Sequence, residues 1–439
     1  MDPLCSPLLT DLYQLTMLEA YFARGMTGTA VFELFTRKLP PGRNFLVAAG
    51  LEQALDFVAG LRFGEEELEW IERSGLFRPG FAAELARLRF TGDIHALPEG
   101  SIFFPNEPLL RVTAPMPQAQ ILETRVLNLV HFETLIASKA ARSVLAAAGR
   151  SLIDFGLRRA HGAEAGLLAA RASYLAGFTG TSTTLAAPRF GIPVFGTMAH
   201  SFVQAHESET EAFMHFADVF PDNAVLLIDT YDTVEGARKA VAASRGRRMK
   251  GVRLDSGDLG ALARDVRPIL DAGGQQQAII FASGNLDEQR VAELVASGAP
   301  IDSYGVGTSL VTSADHPYLD AVYKLQEYAG RARRKRSTGK ATWPGRKQVY
   351  RHYDERGRFA RDVVTVEGDA QPGEPLLKPV MQGGRRLPQP GLAAARAHAL
   401  SQLERLPERL RVLPDAAEPY AVEIAPALHE LAAEVDRHV

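Results

Sequence analysis

The sequence IPVFGTMAHSF, residues 192–202, joins a short apolar run to a polar segment that contains a histidine. The run Ile192–Phe195 carries branched side chains and is bounded by glycine, which is typical of a buried strand. His200 follows Gly196 by four residues, so we expect it just beyond the carboxyl end of that strand. At this position His200 is either a catalytic imidazole or a structural histidine held by hydrogen bonds, and both interpretations stay open.

The same arrangement, a strand followed by polar residues, recurs through the middle of the chain. The strand candidates are 151–155, 192–195, 224–228, 251–254, 278–282, 301–305 and 321–325. The helix candidates between them are 161–176, 234–244, 259–272 and 287–297. This alternation predicts a parallel sheet covered by helices. If the sheet closes into an α/β barrel, the polar strand ends meet on one face, where such enzymes hold their active sites.

The N-terminal part of the chain has a different pattern. Residues 1–118 combine a helical pattern that starts near Leu12 with strand-like runs at 29–34 and 94–97. Residues 118–148 contain neither proline nor glycine, and their apolar spacing predicts one long helix or two abutting helices.

The composition changes again after Tyr328. Nine basic residues fall within 331–351, and helical patterning rich in leucine and alanine returns over 390–439. The basic run is a solvated surface, a nucleic-acid contact or a loop that holds a polyanionic substrate. The predicted domains are an N-terminal α/β domain (1–118), a catalytic α/β barrel (119–328) and a C-terminal region with a basic substrate loop (329–439).

The overall composition is that of a globular protein without a strong electrostatic bias. Hydrophobic residues make up 46% of the 439 residues, charged residues 23%, and the net charge is -3. This charge gives no reason to expect nucleic-acid or membrane partners. The single cysteine, Cys5, excludes an internal disulfide, and the N-terminal residues lack a basic region followed by an apolar core. We therefore expect a cytoplasmic protein.

Two neighbouring strand ends carry pairs of carboxylates. Arg253, Asp255 and Asp258 follow one strand candidate, and Asp229 and Asp232 follow the strand before it. Carboxylates on such loops can hold Mg²⁺ beside a phosphate ligand. The same residues can instead cap the helices that follow, and the two roles are compatible.

Two other strand ends carry glycine turns with exposed donors. One is Ser283-Gly284-Asn285, in which Asn285 is a candidate substrate contact, and the other is the GVGTS segment 305–309. Backbone N–H groups and hydroxyls in such turns can cradle a phosphate. In TIM-like barrels the phosphate site often comes from the last strand loops, which is where these two turns fall.

An aromatic ring and two guanidinium groups follow the first strand of the alternating region. Phe155, Arg158 and Arg159 suit a flat aromatic acid, with stacking on the ring and a fork for the carboxylate. The alternative is a core phenylalanine beside two surface arginines.

With these motifs in order, the chain resembles the nicotinate phosphoribosyltransferases, ATP-assisted enzymes that make nicotinate mononucleotide. The resemblance runs from Leu9 to at least Arg351. The motifs that carry it are 9–14, 32–35, 154–156, 196–202, 251–259, 283–287, 305–312 and 337–349. The fold it implies is an N-terminal α/β domain, an irregular TIM-like α/β barrel, and C-terminal elements that pack back on the rest.

The resemblance also implies roles for single residues in base binding and ATP use. His200 is similar to the histidine that ATP phosphorylates. Tyr13 is similar to an aromatic residue that reaches the nicotinate ring in the neighbouring subunit's site, and Phe155 to the residue that stacks on the other ring face. Further substrate contacts are implied for Arg158, Thr197 and Arg253.

For the phosphoribosyl donor, the resemblance places Asp229 and Asp255 near the donor and its Mg²⁺. The residues that match the 5-phosphate turns are Gly284, Gly305, Gly307 and Thr308. Related enzymes that take nicotinamide use an aspartate to accept a hydrogen bond from the amide N–H. Ser182 matches the position of that aspartate to within one residue. A neutral serine is compatible with a carboxylate substrate, which an aspartate would repel.

We therefore expect ATP-dependent transfer of the phosphoribosyl group from phosphoribosyl pyrophosphate to nicotinate, with His200, Arg253 and Asp255 as the catalytic residues. Mg²⁺ and ATP are the expected cofactor and co-substrate, and a homodimer with shared active sites is the expected assembly. The alternatives are a nicotinamide or quinolinate phosphoribosyltransferase and a phosphate-binding barrel without catalysis. An RNA-binding role for residues 331–351 is disfavoured because only Trp343 and Tyr350 interrupt the basic run as aromatic residues.

Overall fold

The computed structural model describes residues 3–245 and 247–438. Met1 and Asp2, which belong to the N-terminal segment discussed above, lie outside the described residues. Contacts within the chain define two compact units. The first takes in the residues up to Leu135 together with those from Tyr318 onward, and the second spans Ile136–Pro317. The three-part division drawn from the sequence stays a prediction.

The α-helices of the described residues are α1 (Leu12–Ala23), α2 (Leu51–Gly60), α3 (Glu65–Arg73), α4 (Phe81–Arg87), α5 (Met116–Gln120), α6 (Glu123–Ala147), α7 (Ala163–Ala176), α8 (Ala186–Phe190), α9 (His200–Gln204), α10 (Glu209–Val219), α11 (Thr233–Ser244), α12 (Leu259–Ala272), α13 (Glu288–Ala296), α14 (Thr308–Val311), α15 (Leu392–Arg405) and α16 (Pro426–Arg437).

The strands are β1 (Thr29–Thr36), β2 (Leu46–Val47), β3 (Asp93–Ala96), β4 (Ile102–Phe103), β5 (Pro108–Pro115), β6 (Ser151–Asp154), β7 (Gly180–Thr181), β8 (Val225–Leu227), β9 (Gly251–Leu254), β10 (Ile279–Ala282), β11 (Ser303–Val306), β12 (Ala321–Tyr328), β13 (Arg331–Ala332), β14 (Lys347–Tyr353), β15 (Phe359–Val366), β16 (Glu374–Pro375), β17 (Lys378–Gln382), β18 (Arg385–Arg386) and β19 (Val422–Ile424).

The first unit is built around an antiparallel sheet. Its strand order over the described residues is β13-β12-β1-β5-β3-β17-β18, and a smaller sheet has the order β16-β14-β15-β19. Phe32 of β1 stacks on Tyr323 of β12 with 4.9 Å between ring centroids, which ties the C-terminal part of this unit to its N-terminal part. The N-terminal and C-terminal thirds of the chain therefore share one core.

The second unit contains a parallel sheet with the order β7-β6-β11-β10-β9-β8 over the described residues. Leu226, Val252 and Ile280 are fully buried in it, as expected for a parallel sheet with helices on its faces. The predictions for residues 251–254 and 259–272 are confirmed by β9 and α12. Because parallel strands point the same way, the segments that follow β6, β8, β9, β10 and β11 all leave the sheet on the same side, at the carboxyl ends of the strands.

Two expectations about this region need correction, whereas the irregular TIM-like α/β barrel stays a prediction. The pairings of the described residues give a parallel sheet whose order runs from β7 to β8 and show no closed barrel. Residues 192–195 form only a single bridge, between Val194 and Thr181, because Pro193 has no N–H to donate to a ladder. Residues 321–325 do form a strand, but β12 pairs antiparallel with β1 in the first unit.

Other sequence expectations agree with the structure. The region 118–148 takes the form of two abutting helices, α5 and α6. None of the helices in the described residues combines the length and the apolar character that a membrane crossing requires. Cys5 is exposed and forms no disulfide within the described residues.

Candidate active site

Arg253, in β9, connects three segments at the carboxyl edge of the parallel sheet. Its Nε donates to Ser283 Oγ at 3.0 Å, just after β10. Its Nη1 donates to Thr197 Oγ1 at 2.8 Å and to the Met198 carbonyl at 3.2 Å. Its Nη2 donates to Asp255 Oδ1 at 3.0 Å. The side chain is 14% exposed, so this guanidinium holds the three segments together away from bulk water.

Asp255 lies at the meeting point of this network. Ser283 Oγ donates to Asp255 Oδ1, and the Asp255 backbone N–H donates to Asp229 Oδ2 at 2.9 Å. Burial alone raises the pKa of Asp255, but the Ser283 hydrogen bond and the Arg253 charge outweigh it and hold the pKa below its ordinary value. Asp255 is therefore a carboxylate at neutral pH.

His200, at the start of α9, faces Asp255. Its Nδ1 lies 3.1 Å from Thr230 Oγ1, and its Nε2 lies 3.9 Å from Asp255 Oδ2. The side chain is 40% exposed. Thr230 thus orients one ring nitrogen, while the other nitrogen stays accessible beside a negative charge. This geometry fits an imidazole that exchanges a group with a ligand better than a histidine whose two nitrogens are both satisfied in a core.

Asp229 carries an acceptor atom that the described residues leave open. Its Oδ2 accepts from Asp255 N and from Ser256 Oγ at 2.6 Å, whereas its buried Oδ1 accepts no hydrogen bond from the described residues. Within those residues no group of three or more His, Cys, Asp or Glu side chains is placed to bind a metal by itself. Mg²⁺ commonly takes one or two carboxylates and completes its shell with substrate phosphates and water, so this pair suits it.

The other two aspartates of these loops are helix caps. Asp258 Oδ1 accepts from the backbone N–H groups of Gly260 and Ala261 at 3.1 and 3.2 Å. Asp232 Oδ1 accepts from the Glu235 N–H at 2.8 Å. The capping interpretation is thus confirmed for this pair, while Asp229 and Asp255 point into the cluster.

The position of the Phe155 ring depends on Gly305, which packs against it without a side chain. Its ring packs at 5.3 Å from the ring of Phe281, and the Arg253 guanidinium carbon lies 5.7 Å from its centroid. A Cβ at Gly305 would come within 2.9 Å of both phenylalanine rings, and a Cβ at Gly307 within 2.9 Å of the Phe155 carbonyl. Only glycine at these positions leaves the aromatic pair where it is.

The turn after β10 also requires glycine. Gly284 has a φ of +96°, and a Cβ there would lie 1.9 Å from the Asp255 carbonyl oxygen. Asn285 also has a positive φ, of 49°. Thr308 begins α14 directly after Gly307. The two glycine turns are thus tightly packed strand-to-helix connections, as the phosphate-cradle hypothesis requires.

Asp154 organises the strand ends beside Phe155, a role that the sequence did not reveal. Its Oδ1 accepts from the Gly156 N–H at 2.8 Å and its Oδ2 from Thr181 Oγ1 at 2.7 Å. The Ser182 N–H donates to its backbone carbonyl at 2.8 Å. Burial raises the pKa of Asp154 to about 6. This one side chain therefore joins the turn after β6 to the segment that carries Ser182.

The remaining candidates lie outside this hydrogen-bond network. Arg158 is exposed on the 3-10 turn Leu157–Arg159, and Ser182 is half-buried directly after β7. Tyr13 belongs to the first unit, on α1, and is 48% exposed. Sequence reasoning missed Ser283 as a network member and assigned no role to Thr230 or Asp154, although residues 154–156 are among the motifs that carry the resemblance. Their only signal was a polar residue at the end of a strand, and many loop residues share that signal.

The comparisons with known proteins agree with this arrangement. Residues 8–131 match the family model described as the nicotinate phosphoribosyltransferase N-terminal domain, and residues 150–339 match that of the nicotinate phosphoribosyltransferase family. A relative named nicotinate phosphoribosyltransferase pncB2, from Mycobacterium tuberculosis, is 50% identical over 424 residues, which cover 95% of this chain and 91% of the relative.

Two solved structures share the fold over most of the chain. The crystal structure of human nicotinic acid phosphoribosyltransferase matches with a TM-score of 0.86 at 31% identity, over 98% of this chain and all of that one (100%). A nicotinate-nucleotide pyrophosphorylase from Pyrococcus furiosus matches with a TM-score of 0.76 at 26% identity, over 92% of this chain and 96% of that one.

A parallel α/β sheet with carboxylates and glycine turns at its carboxyl edge, shared with these structures, places the protein among enzymes of pyridine nucleotide chemistry. Within that class the family is defined by the two family models and by the close relative. The chain belongs to the nicotinate phosphoribosyltransferase family.

Proposed function

We propose that this protein transfers the phosphoribosyl group from phosphoribosyl pyrophosphate to nicotinate, forming nicotinate mononucleotide and pyrophosphate in NAD biosynthesis. The observation that carries the proposal is the Arg253 network. It places Asp255, His200 and the turn at Ser283 around one point at the edge of the parallel sheet. Because the chain belongs to the nicotinate phosphoribosyltransferase family, nicotinate and phosphoribosyl pyrophosphate are the substrates that we assign to this site.

In the reaction the ring nitrogen of nicotinate forms a bond to C1 of the ribose while the bond from C1 to the pyrophosphate oxygen breaks. Positive charge develops on the ribose and negative charge on the departing pyrophosphate. The Phe155 ring offers a stacking face for the pyridine ring, and Gly284, Gly305 and Gly307 let the two turns pack closely against Asp255 and Phe155, which brings the backbone proposed to hold the 5-phosphate next to them. Such a transfer needs no nucleophile from the enzyme, so the chain's contribution is positioning and electrostatics.

We further propose that Mg²⁺ takes part, held by the open Oδ1 of Asp229 and by Asp255. When bound, it supplies positive charge that stabilises the leaving pyrophosphate. Asp255 is suited to this because its lowered pKa keeps it ionised, and Asp229 because its Oδ1 is buried without a hydrogen bond from the described residues.

ATP use is a separate proposal that rests on His200. An imidazole can accept a phosphoryl group from ATP and release it to water. With Nδ1 held by Thr230, Nε2 of His200 is the nitrogen that faces the cluster. Formation and hydrolysis of the phosphohistidine would then couple ATP to tighter substrate binding.

We also propose that the active form is a homodimer in which Tyr13 contributes to the neighbouring subunit's site. Tyr13 is 48% exposed, and Leu9 and Leu12 beside it are 43% and 52% exposed, so this part of the first unit presents apolar surface. An irregular barrel closure of the parallel sheet and a cytoplasmic location complete the proposal.

Two other functions remain to be distinguished. Quinolinate is the second candidate substrate. A nicotinamide-using enzyme is the third candidate. Ser182 disfavours a nicotinamide-using enzyme, because it matches the position where such enzymes have an aspartate that accepts a hydrogen bond from the amide. A serine there does not repel a carboxylate substrate.

The first test is base selectivity. With phosphoribosyl pyrophosphate, Mg²⁺ and ATP, we expect kcat/KM for nicotinate to exceed that for nicotinamide by more than about tenfold, since an ion pair to the carboxylate is worth roughly 1.5–3 kcal/mol. Ser182→Asp should lower kcat/KM for nicotinate by repulsion, whereas Thr184→Asp, at an exposed position two residues on, should not. Mononucleotide formation from nicotinamide or quinolinate at an equal rate would contradict the proposal.

The second test concerns His200. We expect His200→Ala to abolish substrate-stimulated ATP hydrolysis and the effect of ATP on substrate affinity. Transfer without ATP should persist at high substrate concentration, because the ring-nitrogen attack does not involve the imidazole. The control is His206→Ala, since His206 Nδ1 lies 2.8 Å from the Phe202 carbonyl, away from Asp255. If His200→Ala still hydrolysed ATP in step with mononucleotide formation, the phosphoryl acceptor would be another residue.

The third test concerns the shared site. Tyr13→Ala and His200→Ala proteins, each impaired alone in ATP-dependent transfer, should regain part of that activity when mixed and allowed to exchange subunits. A mixed dimer contains one site with both residues intact. ATP-stimulated mononucleotide formation is measured before and after exchange, with each variant incubated alone as the control. If each site is built from one chain, mixing will restore nothing.

A further inference from the structure

A buried ionic cluster lies in the second unit, apart from the Arg253 network. Lys139, in the middle of α6, donates through Nζ to both carboxylate oxygens of Glu288, at 2.8 and 3.1 Å. The same Nζ donates to Asp315 Oδ1 at 2.6 Å. Arg142, one turn further along α6, donates through Nε to Glu288 Oε1 at 3.2 Å. The side chains of Lys139 and Glu288 are only 2% and 3% exposed.

The two carboxylates of this cluster belong to the chain segments that follow the two glycine turns. Glu288 is the first residue of α13 and follows Asn285 by three residues. Asp315 follows α14, the helix that begins at Thr308 after the second turn. One ammonium group on α6 therefore contacts the segments that leave both turns.

A direct link between the turns supports the same arrangement. Ser309 Oγ, in α14, donates to the Leu286 carbonyl, which lies between the first turn and α13. The turns are thus connected to each other by Ser309 and to α6 by Lys139. The Ser309 hydrogen bond holds the two turns against each other. The ion pairs of Lys139 hold the segments after both turns at a fixed distance from α6.

The cluster is ionic despite its burial. Burial raises the pKa of Glu288, but Lys139 and Arg142 lower it further than burial raises it, so Glu288 carries its charge at neutral pH. Loss of the Lys139 ammonium would leave the buried Glu288 carboxylate with the Arg142 contact alone, and breaking a buried ion pair in this way is strongly destabilising, so the surrounding segments move. The position of the turns therefore depends on the ammonium of Lys139, which plays no part in the transfer chemistry.

We propose that Lys139 is a positioning residue that fixes the spacing of the turns at Gly284 and Gly307 and thereby sets the affinity for the 5-phosphate of phosphoribosyl pyrophosphate. The inference rests on the proposed function, because it assigns the 5-phosphate to these two turns.

The test is direct binding of two probes, phosphoribosyl pyrophosphate with Mg²⁺ and ribose 5-phosphate, by isothermal titration calorimetry. For Lys139→Met we expect the Kd of both probes to rise about tenfold or more, the loss typical of a displaced charge-assisted contact. The KM for nicotinate at saturating donor should change less than the Kd of either probe, because the ion pairs of Lys139 are with Glu288 and Asp315 and reach Phe155 only through the Gly307 turn. Lys139→Arg, which keeps the charge and the donors, should restore most of the affinity.

A matched control separates positioning from general stability. Arg267→Met removes hydrogen bonds to Asp271, the Gln275 carbonyl and the Ala278 carbonyl, at the opposite end of β10. It should lower the melting temperature without raising the Kd of either probe. The double variant Lys139→Met/Glu288→Gln removes the Glu288 charge together with the Lys139 ammonium, and the Kd should stay raised because the bridge is still absent.

The outcomes are distinct. If the wild-type protein bound neither probe, the proposed function would fail and the inference with it. If the wild type bound both probes and Lys139→Met, or the double variant, bound them with wild-type Kd, the proposed function would stand and the positioning role would be overturned. A raised Kd for the Lys139 variants with an unchanged Kd for Arg267→Met supports the inference.

Discussion

The guanidinium of Arg253 is the interaction on which the candidate site depends. It comes from β9 of the parallel sheet and hydrogen-bonds to residues in three different segments, at Ser283, Thr197 and Asp255. Each of these loops would otherwise move separately, since loops at the edge of a sheet have few backbone partners. A planar fork with five donors spaced along the guanidinium matches these separate acceptors, which a compact ammonium at this position would not all reach. The lowered pKa of Asp255 follows in part from this contact.

Close approach is the second constraint, and it explains the glycines. Gly284 packs against the backbone of Asp255, and Gly305 against the rings of Phe155 and Phe281. Any larger side chain at these positions would displace the carboxylate or the stacking face. The proposed substrate contacts at Asp255 and Phe155 are thus positioned by close packing against glycines. Behind them Lys139 and Asp154 hold the same loops from the buried side.

Much of this arrangement can be predicted from the sequence, because strand-then-polar periodicity is local. The runs 251–254 and 259–272 predict β9 and α12, and both are observed, while the structure shows that Asp258 is the residue that caps α12. The family resemblance gave the correct family. Pairing partners are not local, and so residues 321–325, which have the pattern of one more parallel strand, belong instead to the antiparallel sheet with β1. The role of Lys139 could not be predicted, because a lysine within an amphipathic helix is usually a surface charge. Only the fold brings it into contact with Glu288 and Asp315.

The most direct test of the account is the activity of Arg253→Lys, which keeps the positive charge but loses the fork. We predict that kcat/KM for phosphoribosyl pyrophosphate falls by about a hundredfold or more, since several charge-assisted hydrogen bonds of roughly 1.5–3 kcal/mol each are lost or weakened. The melting temperature should stay within a few degrees, because the sheet core is unchanged. A lysine variant with kcat/KM within about threefold of wild type would show that charge alone suffices. The guanidinium network would then not be what holds the site together.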